Sequence, residues 1–347
     1  MPDKDIAGQI LRGTDEANKT YTFDEGHSND RPSMMWFQES HEGLILFIVF
    51  YTQACRWSRC TACNLPSLCS RFHVGYKDIR KQIDWVFAQE LVMNQREKIR
   101  KVIVSNNGSV LDQETFSSNA LMYFTLMANE HLPNMAVLSI ETRTEYVESA
   151  ELEFLSRAIK EGDTPTELEL AVGFEIFDDH FRNDVFNKGL RKEIFEKLAR
   201  NMAEYQFRLK VYMMQKPIVE MSDAQAIFDI GQAAQYFGSI VRQHRDSGTG
   251  KARLKIDMHL NPTYVARGTP LEQAFLRGDY SPPRLRHVAY AALAVEKEPI
   301  SVYIGLDDEG LAVPGGSFLR PEDESLRAAL ARFNILQDYD ILKTALR

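Results

Sequence analysis

The sequence predicts an α/β fold: a partial (β/α)6 TIM-like barrel with an N-terminal extension and a C-terminal α+β tail. Three observations carry that reading. Six short apolar runs follow residue 43, amphipathic stretches with helical spacing lie between them, and the runs are apolar almost throughout. Strands that are apolar on both faces belong to parallel sheets covered by helices. Crossovers of this kind are right-handed, so six units curl into part of a barrel, and closing one takes eight.

Residues 1–43 are polar and punctuated by Pro32; they read as an extension able to wrap a later surface through Met34, Met35, Trp36 and Phe37. The barrel spans residues 44–265. Its strand-like runs are "LILFIVFYT" (44–52), "KVIVSN" (101–106), "MAVLSIET" (135–142), "LELAVGFE" (168–175), "FRLKVYMMQ" (207–215) and "ARLKIDMHL" (252–260). After the first run, "YKDIRKQIDWVFAQELVMNQ" sets Ile79, Ile83, Val86, Phe87 and Leu91 on one helical face, and "EIFEKLARNMAEY" behaves likewise. The basic run "REKIRK" (96–101) reads as a solvated helix-to-strand junction. Residues 266–347 form a region that covers the substrate, with one further strand-like run, "ISVYIGL" (300–306).

A chain of 347 residues buries a large core, and its 44% hydrophobic and 26% charged residues are ordinary for a soluble globular protein. The net charge of -8 argues against a protein that coats nucleic acid unaided. The apolar runs are too short to span a membrane, and the first twenty residues have no apolar core of a secretory signal. The expected location is cytoplasmic, with no membrane partner.

All four cysteines fall within "YTQACRWSRCTACNLPSLCSR" (51–71), as C-x4-C-x2-C followed by a fourth six residues on. In a reducing compartment such clustering suits metal or catalytic use better than disulfides. Three thiolates, Cys55, Cys60 and Cys63, suit an iron–sulfur cluster with one open iron. Structural zinc is closed and tetrahedral, and would need Cys69 or His73 as a fourth ligand. Plain packing of buried thiols is the third reading; Arg56, Ser58, Arg59 and Thr61 make the loop polar for a core segment.

A strand followed by C-x4-C-x2-C with Trp57 in the first gap resembles the radical S-adenosylmethionine (radical SAM) superfamily. The branch is similar to that of the elongator catalytic subunit, the oxygen-independent coproporphyrinogen oxidase and the radical lyase of archaeosine synthesis. Further segments at successive strand ends carry the resemblance: "VIVSNNGSVLD", "LSIETRTEYV", "AVGFEIFDDHFRNDVFNKG", and "LNPTYVARGTPLE" with "YSPPRL". It implies a [4Fe-4S] cluster on Cys55, Cys60 and Cys63, with Cys69 outside the ligand set, and S-adenosyl-L-methionine (SAM) on the open iron. Where the family often has an aromatic residue beside the third cysteine, this chain has Asn64.

For SAM, the resemblance implies backbone approach at Gly108, a hydroxyl from Ser109, Glu141 on the ammonium with Arg143 nearby, and Glu175 on ribose or ammonium. Lys188 is the first choice for the SAM carboxylate and Arg182 the second. Each has a plain alternative: a strand-to-helix turn at Asn106–Gly108, and surface or solvated charges elsewhere. Lys210 and Tyr212 alternate with apolar neighbours on the fifth run, so both point inward as catalytic candidates; a buried lysine is costly unless it is paired. His259 and Asn261 end the sixth run, with His259 read as a satisfied core residue.

The expected activity is hydrogen abstraction from a small-molecule biosynthetic substrate, with electrons from a flavodoxin- or ferredoxin-type donor. Two alternatives stand beside it. One is a tRNA-modifying lyase of archaeosine-synthase type, with a partner protein holding the RNA; the other is a zinc-stabilised binding module.

Overall fold

A computed structural model describes residues 5–347. The chain forms two compact units. The first holds the described residues up to Glu16, Tyr21–Ser58 and Leu65–Ala171; the second holds Ala17–Thr20, Arg59–Asn64 and Val172–Arg347. Elements of the first unit are α1 (Ile6–Glu16), β1 (Met34–Ser40), β2 (Gly43–Val49), α2 (Tyr76–Ala88), α3 (Glu90–Gln95), β3 (Ile99–Ser105), α4 (Ser118–His131), β4 (Val137–Glu141) and α5 (Ser149–Ala158). Strand β5 (Glu167–Glu175) begins in the first unit and ends in the second. The second unit continues with α6 (Lys192–Tyr205), β6 (Arg208–Gln215), α7 (Asp223–Gln243), β7 (Lys255–Pro262), α8 (Pro270–Arg277), α9 (Leu285–Leu293), β8 (Ser301–Ile304), α10 (Glu324–Leu336) and α11 (Tyr339–Ala345). No helix among the described residues is long and apolar enough to cross a membrane.

The strand order is β1 through β8 in sequence. Parallel pairing of β2 with β3, β3 with β4, β4 with β5, β6 with β7 and β7 with β8 makes this the α/β topology of a partial barrel. Two strands lie outside the six runs. Met34–Ser40 pairs antiparallel with β2, and Trp36 stacks on Phe47 at 4.2 Å, so this part of the extension is a strand. At the other end, β8 adds a parallel strand beside β7.

Alternation within strands separates two faces. In β6 and β7, Leu209, Val211, Met213, Ile256, Met258 and Leu260 are buried, as residues packed under helices should be. The intervening residues are polar or aromatic. Register aligns Lys210 with Asp257 and Ser301, and one step further Tyr212 with His259 and Tyr303.

Two expectations fail locally, for identifiable reasons. Leu91 is 58% exposed because the helix breaks at Gln89, whose extended backbone ends α2 and rotates the next turn off the apolar face. Lys101 is not solvated: it is 1% exposed within β3, and its Nζ donates to Glu42 at 2.6 Å and Glu169 at 2.9 Å. Glu169 also accepts from the Ser139 hydroxyl at 2.8 Å, so the buried cation sits in a satisfied polar network.

Candidate active site

In the first unit, β2 delivers the cysteine loop from a pinned exit. Gln82 of α2, wholly buried, accepts from Tyr51 N at 2.9 Å and donates to Tyr51 O at 2.8 Å. Hydrogen bonds from Ala54 N to Ser70 O (2.8 Å) and from Ser70 N to Thr52 O (3.0 Å) close the base of the loop. Cys69 is fully buried with Ile6, Ile10 and Ala54, and its thiol faces the carbonyls of Leu65 (3.7 Å) and Asn106 (3.6 Å). It packs as a small apolar residue. Cys55 is half-buried and outside any disulfide.

Gly108 lies against Cys55: a Cβ there would meet Cys55 Cα at 3.2 Å and Cys55 Cβ at 3.3 Å. The turn that brings it there uses Asn107 at φ 56° and Asn106, whose Oδ1 accepts from Gly108 N at 3.2 Å. The next residues are tied to the end of β4, since Ser109 Oγ accepts from Arg143 N (3.1 Å) and Val110 N donates to Glu141 O (2.9 Å). Arg143 is buried, donates to Glu145 at 2.5 Å, and lies 4.7 Å from the centre of the Trp57 ring.

Reasoning from sequence missed the neighbouring clamp. Arg56 grips Asp112 through two bonds of 2.6 Å, and its guanidinium lies 4.9 Å from the Tyr146 ring. Burial, aided by Asp112, pushes the Tyr146 phenol up to about 12. Arg143 thus packs on the Trp57 ring while the preceding residue, Arg56, is clamped to Asp112; their signal was the Arg-Trp pair inside the first gap of the cysteine motif.

In the second unit, Cys60 and Cys63 are half-buried cysteines outside any disulfide on one turn, with Cys63 N donating to Cys60 O at 3.1 Å. Thr61 N donates to Phe186 O at 3.0 Å, and Cys60 Sγ lies 3.9 Å from Asn187 O. The turn is therefore stitched to the segment that carries Lys188. Lys188 Nζ and Glu175 Oε1 form an ion pair at 2.8 Å. The pair occupies the space over Gly173, where a Cβ would collide with both charged groups. Glu175 adopts φ 69°, a left-handed conformation costing a non-glycine residue about 1–3 kcal/mol.

Arg182 stands in a single turn of π-helix (Phe181–Val185) and is fully buried. Its guanidinium donates to Leu190 O (2.7 Å), Ile176 O (2.9 Å) and Phe177 O (2.9 Å), bonds Asp179, and packs over Phe174. Burial draws its pKa down to about 10. With its donors on the main chain and on Asp179, the fully buried Arg182 braces the loop between β5 and α6. Asp229 of α7 steadies the same loop by accepting from Phe177 N and Asp178 N at 2.8 and 2.9 Å.

Further along the polar face, Lys210 is 2% exposed with Nζ 5.5 Å from the Tyr212 ring and 5.8 Å from Tyr303. His259 packs between those rings, 5.0 and 4.8 Å from their centres. A Cβ at Gly305 would come within 2.7 Å of Asn261 Oδ1 and 3.5 Å of His259 Nε2, so this glycine leaves room for both. Tyr303, whose phenol burial pushes up to about 12, is a site neighbour the sequence did not indicate. It lies on a four-residue strand in the tail, inside the strand-like run "ISVYIGL" but outside every segment read as part of the site.

Among the described residues, no three His, Cys, Asp or Glu side chains are gathered as a metal site. The donor chemistry nonetheless suits a thiolate-held group, with three half-buried thiols and the fourth packed away. Beside Cys63, the buried Asn64 Oδ1 has no hydrogen-bond partner among the described residues.

No family model matches the chain. Similarity to individual proteins is extensive but distant. An uncharacterized protein of Methanocaldococcus jannaschii is 22% identical over 329 residues, which cover 90% of this chain and 83% of that one. The archaeosine synthase subunit beta of Methanosarcina acetivorans is 27% identical over 245 residues, 69% of this chain and 63% of that subunit, less than two thirds of its length. That of Thermococcus kodakarensis is 23% identical over 315 residues, 87% of this chain and 88% of the other. The resemblance to archaeosine-synthesis proteins read from the motifs thus extends along most of the chain. Among solved structures, a queuine lyase from Clostridium spiroforme bound to SAM and queuine has a TM-score of 0.46 at 18% identity, over 72% of this chain and 89% of that one. Elp3 of the archaeon Methanocaldococcus infernus has a TM-score of 0.48 at 16% identity, over 78% and 59%.

Proposed function

We propose that this protein is a radical SAM enzyme in which Cys55, Cys60 and Cys63 hold a [4Fe-4S] cluster. The observation that carries the reading is the cysteine loop: three half-buried reduced thiols spaced C-x4-C-x2-C follow β2, while Cys69 is sequestered. A fourth thiolate would close the iron that SAM needs. Bound there, such a cluster would supply the one electron that cleaves the C–S bond of SAM to methionine and a 5′-deoxyadenosyl radical.

The chain's own residues bind and orient. Gly108 admits ligand atoms close to the main chain beside Cys55, with Ser109 offering a hydroxyl and Glu141 taking the SAM ammonium near Arg143. Lys188 donates to the SAM carboxylate, and Glu175, its partner at 2.8 Å, accepts from ribose hydroxyls or the ammonium. Arg182 holds the loop that presents Lys188. Lys210 and Tyr212 face the substrate, joined by His259, Asn261 and Tyr303.

The substrate is a small molecule held against the polar face of β6–β8, and a flavodoxin- or ferredoxin-type protein supplies electrons. A second reading, a lyase acting on tRNA, is favoured by the two relatives named archaeosine synthase subunit beta. With a net charge of -8, it requires a partner to hold the RNA. The test is 5′-deoxyadenosine formation by reduced, reconstituted protein given SAM with purified tRNA or with a small-metabolite extract. Stimulation by the metabolite fraction supports the first reading, and stimulation by tRNA alone the second. One zinc per chain and no iron after reconstitution would leave a zinc-stabilised binding module.

A further inference from the structure

The Cys60–Cys63 turn carries on its main chain a cation that no motif announces. Lys19 lies in the short stretch Ala17–Thr20, which belongs to the second unit although its flanks belong to the first. The stretch is anchored where Thr20 N donates to Gly268 O at 2.9 Å. Lys19 is 5% exposed, and its Nζ donates to Cys60 O at 3.3 Å and to Cys63 O at 3.2 Å. The Cys60 carbonyl also accepts from Cys63 N, so one ammonium closes the turn that presents both thiols.

We propose that Lys19 is a positioning residue for the Cys60–Cys63 turn and also sets the reduction potential of the group held there. The proposal rests on the reading of Cys60 and Cys63 as cluster ligands. Reduction adds one negative charge to a cluster. A cation fixed on the carbonyls of two ligating residues stabilises the reduced form more than the oxidised one, and it does so strongly where water is excluded. Removing the charge therefore makes reduction harder.

The experiment uses the full chain as wild type, Lys19→Arg, Lys19→Gln and Lys19→Met, each reconstituted anaerobically. Iron and sulfide per chain are measured, and the midpoint potential is read by titration with dithionite followed by electron paramagnetic resonance. Lys19→Arg should keep the wild-type potential. Lys19→Gln retains donors for the two carbonyls and should keep its iron. Its one-electron reduction equilibrium should fall at least tenfold, a shift of about 59 mV to more negative potential. Lys19→Met should show the same shift and lose iron on gel filtration.

Should Lys19→Met fail to fold, Lys19→Gln and Lys19→Arg still decide the question. A wild-type potential in Lys19→Gln overturns the potential-setting role, and full iron in a folded Lys19→Met overturns the positioning role. A wild-type chain that takes up no iron overturns the reading beneath the proposal, an outcome distinct from a loaded cluster indifferent to Lys19.

Discussion

Replacing Arg182 with Met should destabilise the protein and loosen the loop that presents Lys188. The methionine keeps the apolar stem and its contact with Phe174, but abandons the carbonyls of Leu190, Ile176 and Phe177, now bonded at 2.7, 2.9 and 2.9 Å. Each buried acceptor left without a donor costs about 1–3 kcal/mol. Three such losses are not fully additive, and the desolvation of the guanidinium, visible in its pKa of about 10, is relieved at the same time. The net expectation is about 3–5 kcal/mol, the range for stripping one partner from a buried charged network. Urea unfolding at 25 °C measures it, and amide exchange across 176–190 should show the loop opening first. Arg182→Lys, which reaches fewer carbonyls, should fall between. A loss below about 1 kcal/mol, with unchanged exchange in the loop, would refute the scaffold assignment.

Three further outcomes follow from the same geometry. Ala at Cys55, Cys60 or Cys63 should abolish iron binding and SAM cleavage, whereas Cys69→Ala retains both; iron analysis after reconstitution checks this. Lys188→Ala and Glu141→Ala should keep the cluster but weaken SAM binding by about 2–3 kcal/mol, roughly thirty- to a hundred-fold, as measured by calorimetry. Lys101→Met should cost about 3–5 kcal/mol, because Glu169 is left as a buried charge without its cation. Without Lys101 the folded-state carboxyl binds its proton more tightly than the unfolded one. The deficit should therefore shrink as pH falls toward the ordinary carboxylate range, and unfolding curves across pH test it.

The sequence by itself determined the βα alternation, because strands covered on both faces must be apolar throughout and the helices between them amphipathic. It also marked the cysteine loop, since C-x4-C-x2-C is local and directly legible. Lys188 and Glu175 could be named from their segment, although the ion pair over Gly173 could not. What tertiary structure decided were matters of environment. Leu91 left its apolar face because one extended residue broke the helix. Lys101 and Arg182 looked like solvated or ligand-facing charges, yet both are buried with their donors satisfied, Lys101 on carboxylates and Arg182 mainly on the main chain. Tyr303 and Lys19 joined the neighbourhood of the site from segments outside those read as part of it. The physical reason is that periodicity records which face of an element is apolar, whereas the partner of a charged or aromatic side chain depends on what the fold brings to it from far along the chain.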